Sequence, residues 1–209
     1  NVLNPLWNSA MFFFMYAQTN NWDEKNKVVS ENVLDKWVLV RLNQVIKDIS
    51  DNIISYNIPP AVKSLEEFVD DLSRWYVRRS RDRISTGDNE ALSTLYQVLI
   101  EFSKASAPLI PFMSENIYKF LQGDVDGELD SVHLADFPSF DEKLTEESEE
   151  ILKKMKKARD IVSQVLSIRV EKALPVRQVL NSIAILKENN IPEEYKKLIL
   201  DETNIKNIE

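Results

Sequence analysis

The stretch "SLEEFVDDLSRWYVRRSRDR", residues 64–83, decides how the chain is read. At about 100° per residue, Leu65, Phe68, Leu72, Trp75 and Tyr76 fall on one stripe, which predicts an amphipathic helix with its apolar side against a core. Five arginines accompany it (Arg74, Arg78, Arg79, Arg81 and Arg83), although the whole chain carries a net charge of -8. The same periodicity puts Arg79 and Arg83 on the continuation of the apolar stripe and Arg74, Arg78 and Arg81 on the opposite side. The inward pair is expected to meet Asp or Glu from neighbouring helices, because a buried guanidinium without a partner is costly. The outward three fit two readings. They form a solvated face paired with acids such as Asp70 and Asp71, or they present planar five-donor forks to phosphates.

Working outward, helical spacing recurs on both sides of this stretch. Leu3, Leu6, Ala10, Phe13 and Ala17 predict a first helix that stops at the polar "QTNNWDEKNK" (18–27). Val33, Trp37, Val38, Leu42, Val45, Ile49 and Ile53 predict a second, running to about Tyr56. "NIPP" (57–60) breaks the chain and places prolines in the first turn of the helix under discussion. That helix ends near Gly87, a suitable C-terminal cap. Asp88 or Asn89 can then cap a helix through Leu92, Leu95, Leu99 and Phe102, and Pro111 opens a short one through Ile117 and Leu121. Long amphipathic helices with short connections predict an antiparallel bundle over residues 1–122.

Beyond it the composition changes. Residues 123–147 read as an acidic connector laid over the bundle, with "GDVDGELD" (123–130) and an extended "SVHLADFP" (131–138). Residues 148–209 read as a small α+β unit: a helix to about Lys172 with its N-cap at Thr145 or Ser148, and a strand in "VRQVLNSIAIL" (176–186). A helix in "PEEYKKLILDET" (192–203) and a last strand in "NIKNIE" (204–209) complete it. The expected fold class is mainly α, an antiparallel helical bundle followed by a small α+β unit.

Composition excludes several functions. There is no Cys, one His (His133) and only three Gly, so thiolate zinc sites, disulfides, Ser/His/Asp arrangements with supporting spacing and Gly-rich phosphate loops are all unsupported. The longest apolar run, "AMFFFMYA" (10–17), is too short to span a bilayer, so no membrane partner is expected. Net charge misleads about nucleic acid, because residues 123–150 alone carry -10 while residues 1–122 carry -2 and residues 151–209 carry +4. The paired carboxylates Glu66/Glu67 and Asp70/Asp71 read as arginine partners or a solvated face, not as an acid–base pair.

Several segments, in this order, resemble one family. "NPLWNSAMFF" (4–13), "LDKWVLVRLN" (34–43), residues 64–83, "APLIPFMSENIYKFL" (107–121) and "SVHLADFP" are similar to the anticodon-binding region of isoleucyl-tRNA synthetases, which are class I enzymes. "RVEKALPVRQVL" (169–180) and "LILDETNIKNI" (198–208) resemble the small junction that follows the family's bundle. Valyl and leucyl relatives share this bundle; "WYVRRSR" favours the isoleucyl branch, and Phe137 stands where the family commonly has Trp. The ATP-handling signatures His-x-Gly-His and Lys-Met-Ser-Lys-Ser are absent from the sequence.

The resemblance implies that this chain is a C-terminal piece, without catalytic residues, metal ligands or cofactor of its own. ATP and Mg would be handled by a catalytic domain upstream in the same polypeptide, beside an editing domain, in the cytoplasm. The implied partner is the anticodon stem-loop of isoleucine tRNA. Candidate tRNA-binding residues are Arg74, Arg78, Arg81 and Arg83, with Arg83 at the distal tip of the bundle, and Lys153, Lys157, Arg169 and Lys172 in the C-terminal unit. A second reading, a non-catalytic protein-interaction scaffold whose arginines serve only internal ion pairs, stays open on the sequence.

Overall fold

A computed structural model describes residues 2–122, 131–185 and 191–209. Two compact units emerge, residues 1–143 and 144–209. The acidic "GDVDGELD" and residue 186, the end of the expected strand, lie outside the described residues.

In the first unit, α1 (Leu3–Thr19) buries Leu6, Ala10, Phe13 and Ala17 at the expected spacing. It stops where Asn21 turns to a φ of 52° and the Trp22 N–H donates back to the Ala17 carbonyl at 2.8 Å. α2 (Val33–Ile54) starts at Asn32, whose side chain accepts the Leu34 N–H at 2.9 Å. α3 (Ile58–Asp70) carries Pro59 and Pro60 in its first turn, where a missing N–H costs nothing.

The continuous helix expected over residues 64–83 is interrupted. Residues Asp71–Val77 wind as a π-helix before α4 (Arg78–Ser85) resumes. Bonding from i to i+5 takes in an extra residue per turn, so the phase beyond it slips. Trp75 and Tyr76 are buried as expected, but the apolar stripe continues through Val77, Ser80 and Ile84, not through Arg79 and Arg83, which are half-buried on its flank.

Gly87 closes α4 with a φ of +81°, and a Cβ there would sit 2.5 Å from Oδ1 of Asn20, so the position needs glycine twice over. Asp88 caps α5 (Asn89–Ser106) by accepting the N–H groups of Glu90 and Ala91 at 3.0 and 3.1 Å. α5 is buried on nearly all sides and forms the centre of the unit. Its Ser103 and Ser106 hydroxyls donate to carbonyls four residues back, at 2.7 Å each. α6 (Pro111–Gln122) follows, and its Glu115 accepts hydrogen bonds from the Ser131 hydroxyl and the Val132 N–H, both at 2.9 Å. "SVHLADFP" is not extended throughout: Val132–Leu134 form one 3-10 turn and His133 is exposed.

Contacts along the helices give their directions. Arg83, late in α4, reaches Asp35, early in α2, and Phe68 of α3 stacks on Phe102 of α5 with centroids 4.8 Å apart. α2 therefore runs against α3–α4, and α3–α4 against α5. One end of the bundle, the tip, gathers the end of α1, the 20–32 connection, the start of α2 and the α4–α5 turn.

The second unit begins with α7 (Glu146–Glu171), capped by Thr145, whose hydroxyl accepts the Ser148 N–H at 3.1 Å. β1 (Leu180–Ile183) and β2 (Ile205–Ile208) pair in parallel, in the register Leu180 to Ile205 and Ile183 to Ile208. α8 (Glu193–Thr203) joins them and packs on α7 through Tyr195, Leu198 and Ile199. The parallel pair needs this helical crossover, since no tight turn can join parallel strands.

Candidate nucleic-acid interface

The arginines of residues 74–83 separate by what holds them. Arg74 has a side chain 77% exposed and pairs along its own helix with Asp70 at 2.9 Å. Arg78 and Arg81 are exposed on α4. The Arg81 guanidinium lies 5.6 Å from the centroid of the Phe12 ring of α1, which orients it without neutralising it. Arg81 forms no ion pair with the described residues.

Arg83 has a different role from the one expected at the tip. Its Nη1 and Nη2 donate to both oxygens of Asp35, at 3.1 and 2.8 Å, and its Nε donates to Asp88 at 2.8 Å. Asp35 is 0% exposed, and its carboxylate also accepts the Tyr76 hydroxyl at 2.8 Å and the Ser30 hydroxyl. Every nitrogen of the Arg83 fork is thus committed to a carboxylate within the bundle. The sequence placed Arg83 among RNA contacts; the structure makes it the internal counter-ion that lets Asp35 be buried.

Titration follows this wiring. Burial pushes the Tyr76 phenol well above 10, and the neighbouring Asp35 charge adds to it. Burial works against ionised Asp88, but hydrogen bonds from Arg83 and the Ala91 N–H outweigh it and hold the carboxyl below its usual value.

In the second unit the expected cations divide as well. Lys153 is exposed, Lys157 half-buried, and Lys172 exposed beside Glu171 at 3.2 Å. Arg169 is not a surface group: it is 2% exposed and donates to the carbonyls of Pro175 and Asn204, each at 3.2 Å. It ties the end of α7 to the following loop and to the start of β2, so it does not face an RNA backbone in this structure.

The sequence reading missed a groove at the tip. It has a volume of about 540 Å³ and lies between the 20–28 segment and the α4–α5 turn. Four asparagines (Asn20, Asn21, Asn26 and Asn89), Lys25, Lys27 and Trp22 line it, and no carboxylate does. Its walls are fixed: the Trp22 indole N–H donates to Asn89 at 2.7 Å, Asn89 donates to the Asn26 carbonyl at 2.8 Å, and Asn20 donates to the Tyr16 carbonyl at 2.8 Å. Trp22 also packs edge-on against Phe13, with centroids 5.5 Å apart. The only signal in the sequence was the Asn-rich "QTNN", whose partner Gly87 lies more than sixty residues on.

Among the described residues no group of acidic and histidine side chains converges to hold a metal, and no helix is long and apolar enough to cross a membrane.

Residues 35–185 match the family described as the anticodon-binding domain of tRNA ligase. The chain is 39% identical to the isoleucine–tRNA ligase of Clostridium tetani over 214 residues, which is 99% of this chain and 20% of that protein. It is 40% identical to the Clostridium acetobutylicum enzyme and 37% identical to the Chlamydia abortus enzyme, again over 99% of this chain and 20% of each relative. The chain therefore spans about a fifth of the length of these relatives.

Proposed function

Because the chain belongs to the anticodon-binding domain family of tRNA ligases, we propose that it recognises the anticodon stem-loop of isoleucine tRNA as part of an ATP-dependent isoleucine–tRNA ligase. The observation that supports this most is near-complete coverage of this chain by isoleucine–tRNA ligases at 37–40% identity. The bundle supplies binding and orientation, and the ATP- and magnesium-dependent chemistry belongs to other parts of the polypeptide, in the cytoplasm.

Arg74, Arg78 and Arg81 supply cations for the RNA backbone, and Lys153 and Lys172 add charge from the second unit. Exposed arginines suit this role, because the fork meets two phosphate oxygens at once and also stacks on bases. Their burial-free placement contrasts with Arg83, which stiffens the tip from inside.

A titration with isoleucine tRNA and with the same tRNA carrying a foreign anticodon loop tests the proposal. The expected result is tighter binding of the isoleucine loop and a log–log salt slope of about -0.7 for each phosphate neutralised. Equal binding of both tRNAs and of an unrelated acidic polymer would overturn it.

A further inference from the structure

We propose that the tip groove receives one unstacked nucleotide of the RNA loop, with its phosphate between Lys25 and Lys27 and its base edge on the amides of Asn21 and Asn26. The inference rests on the RNA-binding reading above and assigns it a site that the arginine face does not include.

Lining chemistry points to this ligand. In a chain of net charge -8, a groove with two lysines, four asparagines and no carboxylate is selective for a group that is anionic at one end and rich in donors and acceptors at the other. Its nearest acids are turned elsewhere: Asp23 accepts the Lys25 N–H at 2.8 Å, and Glu24 accepts the Tyr96 hydroxyl at 2.8 Å. Neither Lys25 nor Lys27 forms an ion pair with the described residues; Lys27 lies 5.8 Å from the Tyr96 ring centroid.

The four amides are not equivalent. Asn20 and Asn89 are consumed in holding the walls, as described above. Asn21 and Asn26 are exposed, and their side chains have no hydrogen-bond partner among the described residues. An asparagine amide offers a donor and an acceptor together, the pairing needed to read a base edge. Trp22 adds an aromatic wall, and the volume of about 540 Å³ falls within the range of small-ligand sites. Preformed walls matter here, because a site already rigid loses less entropy when the flexible loop orders on it.

Photocrosslinking with an RNA hairpin carrying the isoleucine anticodon loop, with thiouridine at one loop position at a time, tests the site on the intact chain. The expected result is a crosslink within residues 20–28 from at least one loop position. In parallel, Asn21→Gly/Asn26→Ala removes both free amides while keeping the left-handed φ that residue 21 needs. It is expected to reduce discrimination between the isoleucine loop and single-base variants by about threefold to tenfold for each amide, the equivalent of one hydrogen bond. Lys25→Ala/Lys27→Ala is expected to flatten the salt slope by about 0.7 for each lysine. Full binding of the hairpin with no crosslink in 20–28 and unchanged discrimination would overturn the groove assignment and leave the RNA-binding reading standing. Failure of the wild-type chain to bind the hairpin at all would overturn both.

Discussion

Arg83 shows how one side chain changes role between sequence and structure. By spacing it belongs to a basic cluster; by contact it neutralises a carboxylate with no exposure to water. Removing one partner of such a pair strands the other charge, at a cost of about 3–5 kcal/mol. Arg83→Ala is therefore expected to lower stability by that amount in chemical denaturation, whereas surface substitutions usually stay within about 0.5 kcal/mol. A loss below about 1 kcal/mol would mean that Asp35 finds another partner or hydrates. Arg169 makes the same point in the second unit, since its guanidinium serves two backbone carbonyls and its Nε has no hydrogen-bond partner among the described residues. Both were expected to be surface cations because a charge is normally solvated. What buries them is packing between segments distant in sequence: Asp35 is forty-eight residues from Arg83, and Asn204 thirty-five from Arg169.

Most helices were legible at the level of elements because each obeys a local rule. Leu6, Ala10, Phe13 and Ala17 keep helical spacing, Pro59 and Pro60 open α3, and Asp88 caps α5. The Asp71–Val77 π-helix was not legible, since no residue type announces an i to i+5 turn. It displaced the inward positions from Arg79 and Arg83 to Ser80 and Ile84. The groove was equally hidden, because it exists only where the 20–28 segment meets the α4–α5 turn. Asp88 joins these scales by capping α5 and holding Arg83, and its carboxyl lies below the ordinary 3.8. A lowered folded value gives stability that is present above the unfolded value and lost as pH falls through the folded one. Asp88→Asn keeps a good cap but removes the charge. The stability gap between wild type and this variant is expected to be constant at neutral pH and to close below about pH 4 in acid denaturation. A gap that persists at pH 2 would assign the effect to shape instead of charge.

For the whole molecule, acidity and RNA binding are compatible because the charge is unevenly placed. The -10 of residues 123–150 exceeds the net charge of the entire chain, so the flanking segments are near neutral or basic. Backbone affinity depends on local cations and falls with salt, whatever the overall sign. The central claim is that the exposed side of α4 binds RNA while its buried side holds the bundle together. The most direct test titrates isoleucine tRNA, over a range of salt concentrations, into wild type and into Arg78→Ala/Arg81→Ala, with thermal melting of both. The account predicts weaker binding by the variant, a salt slope smaller by about 0.7 for each arginine lost, and an unchanged melting temperature. Unchanged affinity and slope in a variant that melts normally would contradict it.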